Sequence, residues 1–243
     1  MKSLSVVLPA YNEEANVRTT VAEIAGVAQK LGLDHEIILV NDGSRDRTGE
    51  IGRELAAYIP EFRLVEHYPN RGYGGALKAG FAAARKELIA FFPADNQFHF
   101  EEITRLLDCL DETNAAFVCG YRAPRRDPFM RKVNAFGWNT LIRILFGYLT
   151  RDIDCGFKLF RREVLNCVTI TSDGALIDTE FLSSARRIGC SIEEVPVTHR
   201  PRLSGEATGA DFHVIIKAFR DLWALLQEQI ATTGYLKWRF NLR

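Results

Sequence analysis

Asp95 and Gln97 stand two positions apart just after an apolar run breaks. The run opens at Leu88 as LIAFF, about the length of a buried strand. Pro93 ends it, because proline cannot donate to a strand ladder or easily continue one. A carboxylate and an amide at the end of a buried parallel strand lie where open α/β sheets place ligand chemistry. Hard oxygen ligands suit Mg2+ or Mn2+, which complete their shells with water and substrate phosphate. A polar turn after a strand would account for the same residues without any ligand.

Other polar groups recur at comparable places. Tyr11 and Glu13 follow the apolar run Leu4 to Leu8, and Asp42 follows Glu36 to Val40. In a parallel sheet these strand ends share one edge. A Tyr, a Glu, an Asp and a cation-binding pair on one edge suit a nucleoside diphosphate. Aromatic and acidic groups can read the base, and a cation can bridge the phosphates. Each residue alone has a capping or turn explanation, but their joint appearance at successive strand ends does not.

The elements that must position them follow from periodicity. Asn12 reads as the cap of a helix from about Glu13 to Leu31. Asn41 to Ser44 is turn chemistry, and Asp46 caps the next helix, to about Tyr58. Phe62 to Glu66 reads as a third strand. The glycine-rich turn Asn70 to Ala76 then opens a helix to about Lys86, its glycines letting backbone approach a phosphate or letting helix pack on sheet. Leu77 stands where GxGxxG needs its third glycine, which argues against a dinucleotide site. Helices are expected over Phe100 to Glu112, Phe129 to Leu149, Ile177 to Ile188 and Phe212 to Ile230. Strands are expected over Ala115 to Gly120, Phe157 to Phe160 and Ile192 to Val197. Strand and helix alternating at this spacing is the signature of a parallel sheet.

Lys plus Arg and Asp plus Glu are 31 each, so no global field points to nucleic acid. Charge is locally uneven: Arg122, Arg125, Arg126, Arg131 and Lys132 face one acid, Asp127. The five cysteines form no CxxC pair, which predicts reduced thiols in a cytosolic compartment. The five histidines form no HxxxH pair and read as surface or satisfied core residues. The apolar start is too short for a signal peptide, and no run reaches the ~20 apolar residues of a spanning helix. Val133 to Leu149 carries Asn134, Asn139 and Arg143, and reads as an amphipathic helix suited to a membrane surface.

Taken in order, LPAYNEE, VNDGSRDRT, NRGYGGALKAG, PADNQ, CGYR, DCGFKLFRREV and RLSGEATG resemble the motifs of the family 2 glycosyltransferases. Their spacing is most similar to the dolichyl-phosphate mannose synthase-like branch, which includes bacterial polyprenyl-phosphate sugar transferases. The resemblance implies a glycosyltransferase A-type α/β fold, a mostly parallel central sheet flanked by helices, over residues 1–210. Residues 211–243 would form a C-terminal amphipathic helix and tail facing a membrane or a partner. It implies inverting transfer of a hexose from a GDP- or UDP-linked donor to a polyprenyl or dolichyl phosphate, with Mg2+ or Mn2+ on the diphosphate. Pro9, Tyr11, Glu13, Val40, Asp42 and Ala94 would line the nucleotide, and Asp95 and Gln97 would hold the metal. Arg122, Arg131 and Arg202 would meet phosphates, for which a planar guanidinium is matched.

A phosphate acceptor needs no general base near neutral pH, whereas a hydroxyl acceptor needs one. Asp154, ahead of Asp178 and Glu180, is the base the sequence offers. Two positions depart from the family pattern: Pro93 replaces the first acid of the metal motif, and Gly205-Glu206-Ala207-Thr208 lacks the lysine of GESK. The expected setting is cytoplasmic, peripheral at the inner membrane face, with a second copy or a membrane protein left open as partner. The competing readings are a transferase that uses a hydroxyl acceptor and a nucleotide-binding subunit without catalysis.

Overall fold

A computed structural model describes residues 2–124, 129–201 and 219–227. Seven strands form one sheet: β1 (Ser3–Ala10), β2 (Asp34–Asp42), β3 (Phe62–His67), β4 (Leu88–Phe91), β5 (Phe117–Arg122), β6 (Lys158–Arg161) and β7 (Ile192–Val197). Their order is β3-β2-β1-β4-β6-β5-β7. The half from β3 to β4 is parallel, β6 runs antiparallel to both neighbours, and β5 and β7 are parallel. Because β6 is reversed, its start lies at the same edge as the ends of β4 and β5, with Lys158 opposite Phe91 and Cys119. The ends of β1, β2 and β4 and the start of β6 therefore meet along one edge.

Alternate residues of the strands are buried on opposite faces, so helices cover both. On one face Leu4, Val6 and Leu8 pack with α1 (Val17–Lys30), α2 (Thr48–Tyr58) and α4 (Ile103–Thr113). On the other Val7, Ile38 and Val40 pack with α3 (Tyr73–Ala83), α5 (Phe129–Phe146), α6 (Ile177–Arg187) and the helical residues 219–227. Burial on both faces explains why the strands read as unbroken apolar runs. Gly80 brings α3 onto the sheet, since a Cβ there would lie 2.2 Å from the Val7 Cγ1.

Most elements fall where the sequence puts them, with boundary shifts. The first helix begins at Val17 rather than Glu13, because Asn12 is not its cap. Asn12 adopts a left-handed φ of 56° and bonds to the Ser44–Arg45 turn. Asp46 is not the cap of α2, which is Arg47; standing one residue earlier, it accepts the Thr48 N–H at 2.9 Å. The predicted Pro201 to Asp211 loop lies outside the described residues, save Pro201, as does the tail from Tyr235.

At the opposite sheet edge, buried Glu36 accepts from the Ser5 hydroxyl, the Arg85 N–H and the Arg63 guanidinium. Burial alone would raise its pKa, but these hydrogen bonds outweigh it and hold the pKa below the ordinary value. A carboxyl lowered on folding stabilises the fold above its unfolded pKa, and that contribution fades as pH falls through the folded value. Glu36→Ala should therefore cost about 2 kcal/mol near neutral pH. The difference from the wild type should narrow in unfolding curves as pH falls through the folded value.

Two glycines should respond oppositely to alanine. At Gly26 in α1 an added Cβ would meet nothing within 4 Å, so Gly26→Ala should gain about 0.5–1 kcal/mol from helix propensity. At Gly74 a Cβ would lie 2.5 Å from the Ser172 carbonyl oxygen, and Gly74→Ala should lose about 1–3 kcal/mol. Thermal unfolding of the two variants checks both signs.

Candidate active site

The loops after β1 and β2 are laced together. The Asn12 N–H donates to the Ser44 hydroxyl, the Arg45 N–H to the Asn12 side chain, and the Glu13 N–H to the Thr48 hydroxyl. Asp46 accepts from the Glu14 N–H and the Thr48 hydroxyl. This fixes Tyr11, part-exposed, and Glu13, buried with its carboxylate on the Asn16 amide at 2.7 Å. Pro9 is part-exposed at the end of β1. Val40 and Ala94, expected to line the nucleotide, are 0% and 2% exposed, so their side chains belong to the core.

Asp42 faces inward as well. Its carboxylate accepts from His67 at 2.9 Å and from the Arg71 and Gly72 N–H groups at 2.9 and 2.8 Å. It thus fixes the loop that opens α3 and adds shape, more than free acceptor atoms, to the edge. The glycines of that loop serve a different contact from the phosphate considered above. The Gly74 and Gly75 N–H groups donate to the Asp173 carbonyl, and a Cβ on Gly72 would lie 2.5 Å from that oxygen. The absence of side chains admits the 172–174 backbone, which Glu180 secures by accepting from the Thr171 and Ser172 N–H groups at 2.8 Å.

Asp95 and Gln97 occur on the turn after β4, anchored by Phe92 and Phe98, whose rings pack on Phe157. Asp95 accepts the Gln97 N–H at 3.2 Å. The Gln97 amide nitrogen donates to the Arg200 carbonyl at 3.2 Å and lies 3.3 Å from the His199 Nε2. These contacts occupy the amide's nitrogen end, and no described group donates to its oxygen. His199, buried against Phe98, was missed in the sequence because its neighbour is 102 positions away.

Among the described residues no group of three or more His, Cys, Asp or Glu forms a cation cage. The donor set of one carboxylate, one amide oxygen and one imidazole still fits a divalent ion that takes its other ligands from water and phosphate. Pro93 packs on the opposite loop: a Cβ on Gly156 would lie 3.3 Å from its ring.

That opposite loop, 152–157, is acidic. Arg122, expected at a phosphate, makes two buried bonds of 2.6 Å to Asp152, a fork-on-fork pair. Lys158 pairs with Asp178 at 2.6 Å, both buried. With Glu180 holding the 171–172 turn, Asp154 is the one base candidate of the three whose carboxylate is unengaged among the described residues. It opens to solvent from within a dense surround of protein. That surround, then the Asp178 and Asp152 charges, push its pKa up to about 6 against the pull of Lys158 and Arg122.

The Tyr73 phenol is kept protonated by burial and then by Asp178, Asp154, Cys155 and Asp95. Asp95 and the acidic loop thus both lie close enough to act on this phenol. The side chain of Arg131 and the whole of Arg202 lie outside the described residues.

The sequence profile described as "Glycosyl transferase family 2" matches residues 5–169. A dolichyl-phosphate beta-glucosyltransferase of Trichomonas vaginalis is 34% identical over 209 residues, 80% of this chain and 64% of that protein. An undecaprenyl-phosphate 4-deoxy-4-formamido-L-arabinose transferase of Pectobacterium atrosepticum is 35% identical over 170 residues, 69% of this chain and 51% of that protein. The chain spans just under two thirds of the length of the first curated relatives it matches. Among solved structures, glucosyl-3-phosphoglycerate synthase from Mycobacterium tuberculosis, in complex with Mn2+, UDP-glucose and phosphoglyceric acid, superposes with a TM-score of 0.72. That match covers 93% of this chain and 80% of the other at 20% identity, a likeness of fold.

Proposed function

The chain belongs to glycosyl transferase family 2, and from that premise we propose that it transfers a hexose, with inversion, from a UDP- or GDP-linked donor to a polyprenyl phosphate. The observation that carries the reading is the placement of Asp95 and Gln97 after β4, beside the β1 and β2 loops and facing the acidic 152–157 loop. The donor diphosphate would lie along the first set of loops and the acceptor would approach across the second. The names of the relatives, which include dolichyl- and undecaprenyl-phosphate sugar transferases, support a polyprenyl phosphate acceptor.

Asp95, Gln97 and His199 would hold a divalent cation, which when bound neutralises charge on the departing nucleoside diphosphate. Tyr11 would stack on or border the base, and Asp42 would keep the Asn70–Gly72 turn in shape beneath it. Arg122 orients Asp152 and so the acidic loop. Phosphate contacts would fall to Arg131 and Arg202. Asp154, with a pKa of about 6, is matched to taking a last proton from a phosphate monoanion or a proton from a hydroxyl near neutral pH.

No described helix is long and apolar enough to cross a membrane. What supports peripheral docking is an exposed apolar group with cations beside it. Val133, Phe136 and Ile144 of α5 are exposed, as are Phe219 and Trp223 on the helical residues 219–227. The two helices meet where Trp138 packs edge-on against Phe219 at 5.8 Å. Exposed Lys132, Arg143 and Arg220 would meet anionic headgroups.

The test is transfer of radiolabelled hexose from UDP- and GDP-sugars, with Mn2+, to polyprenyl phosphate in anionic vesicles and to soluble glycan acceptors. Label entering the lipid fraction is expected. Label entering only the soluble acceptor would favour the hydroxyl-using reading. Nucleotide binding with no transfer would favour a subunit without catalysis.

A further inference from the structure

The cation buried under this site has no part in the chemistry described so far. Lys158 is the first residue of β6, opposite Phe91, which leads into the Asp95 turn, and opposite Cys119, which leads towards Arg122. Its side chain is sealed from solvent. The Nζ donates to the Asp178 carboxylate at 2.6 Å and to the Cys155 carbonyl, and sits 4.9 Å from the centre of the Phe91 ring. One ammonium thus ties the loop that carries Asp154 to the start of α6, directly below the reacting edge.

Stability is a poor explanation for this arrangement. Desolvating an ion pair offsets most of its attraction, and an apolar pair of similar volume packs as well or better. Besides the pair and the Cys155 carbonyl, Phe91 and Cys119 wall the slot, and burial keeps the Cys119 and Cys155 thiols protonated. The charge balance around Asp154 shows what the cation adds. Among the described residues, those whose charges act most on it are Asp178, Asp152, Lys158 and Arg122, with the neutral Tyr73 phenol also near. Arg122 offsets Asp152 and Lys158 offsets Asp178, which leaves Asp154 as the carboxylate without a paired cation among the described residues.

We propose that Lys158 is a positioning residue of the transfer site: through the Cys155 carbonyl and Asp178 it sets both the place of Asp154 and the field in which that carboxylate works. The inference rests on the transferase reading for its purpose but not for its physics. Burial, the largest single influence, would lower the Lys158 pKa; Asp178 together with the Cys119 and Cys155 groups outweighs it and raises the pKa, which favours the ammonium.

The experiment is a carbon-13 NMR titration of aspartate carboxyls in the full chain, with the Asp154 signal assigned by its loss in Asp154→Asn. Comparing Asp178→Asn with the double variant Lys158→Met/Asp178→Asn isolates the lysine, since the Asn cannot take up a proton to mask its loss. Removing Asp178 should move the Asp154 midpoint down from about 6. Removing Lys158 as well should move it back up.

A second measurement covers the chance that Asp178→Asn fails to fold. The apolar pair Lys158→Met/Asp178→Leu should melt within a few degrees of wild type, since relief of the buried charges offsets the donor lost by the Cys155 carbonyl. It should still lose at least about fivefold in kcat at pH 6.5 with donor KM unchanged, a loss of about 1 kcal/mol in transition-state stabilisation. Lys158→Arg should recover most of it. Equal Asp154 midpoints with and without Lys158, or wild-type turnover in the apolar pair, would overturn the proposal. A shifted midpoint in a protein that transfers no sugar would keep the positioning role and sink the transferase reading.

Discussion

Asp95→Asn should slow sugar transfer by about 10³-fold or more while moving the thermal midpoint by only a few degrees. An ion on a leaving diphosphate contributes several kcal/mol of charge stabilisation, and about 4 kcal/mol corresponds to that factor. Two features make the loss severe. Pro93 stands where the family pattern has another acid, so Asp95 is the only carboxylate on its turn and none can stand in for it. Asparagine can still accept the Gln97 N–H, and Phe92 and Phe98 hold the turn from both sides, so the backbone should keep its shape. The measurement is kcat at saturating donor across a Mn2+ series. A variant that recovers wild-type turnover at high Mn2+ would show that Asp95 contributes affinity alone.

Asp154→Asn should give the second large effect, and its size depends on the acceptor. With a hydroxyl acceptor the loss should be about 10²–10⁴-fold, the usual contribution of a positioned general base. With a polyprenyl phosphate the loss should shrink as pH rises from 6 to 8, because the acceptor sheds its last proton unaided near pH ~6. The sign follows from the carboxyl itself. Its pKa is raised from 3.8 to about 6, so the proton-accepting form is lost as pH falls through that value. Wild-type kcat/KM should therefore climb through pH 6; with a hydroxyl acceptor the variant should lose that limb, whereas with polyprenyl phosphate it should keep the climb set by the acceptor's own proton.

Much of this was legible in the sequence because buried strands leave a strong mark. LSVVL, EIILV and LIAFF are apolar on both faces, and the polar residues that follow them are forced to one edge by parallel pairing. That reasoning reaches Tyr11, Asp42, Asp95 and Gln97. It does not reach contacts that depend on which distant side chain arrives. His199 lies beside Gln97 only because β7 ends near the β4 turn. Arg122 meets Asp152, and Asp178 meets Lys158, because four-residue β6 runs backwards between β4 and β5. Nothing in KLFR announces that direction.

The glycine-rich turn shows the same limit. Gly72 and Gly74 do mark a close backbone approach, but a sequence cannot say whether a phosphate or another loop is approaching; here it is the 172–174 backbone. Val40 and Ala94 are next to Asn41 and Asp95 in the chain, yet strand and turn geometry aims their side chains into the core. Asn12 has cap chemistry, but its left-handed backbone makes it a staple between two loops.

The central claim is that the edge holding Asp95, Gln97 and His199 binds a cation together with a nucleoside diphosphate. Electron paramagnetic resonance of Mn2+ tests it without any acceptor. With wild-type protein and UDP or GDP, the sharp spectrum of the hydrated ion should collapse beyond what nucleotide alone produces, and Asp95→Asn should restore it. A spectrum unchanged by the wild type, or lost equally with Asp95→Asn, would contradict the account.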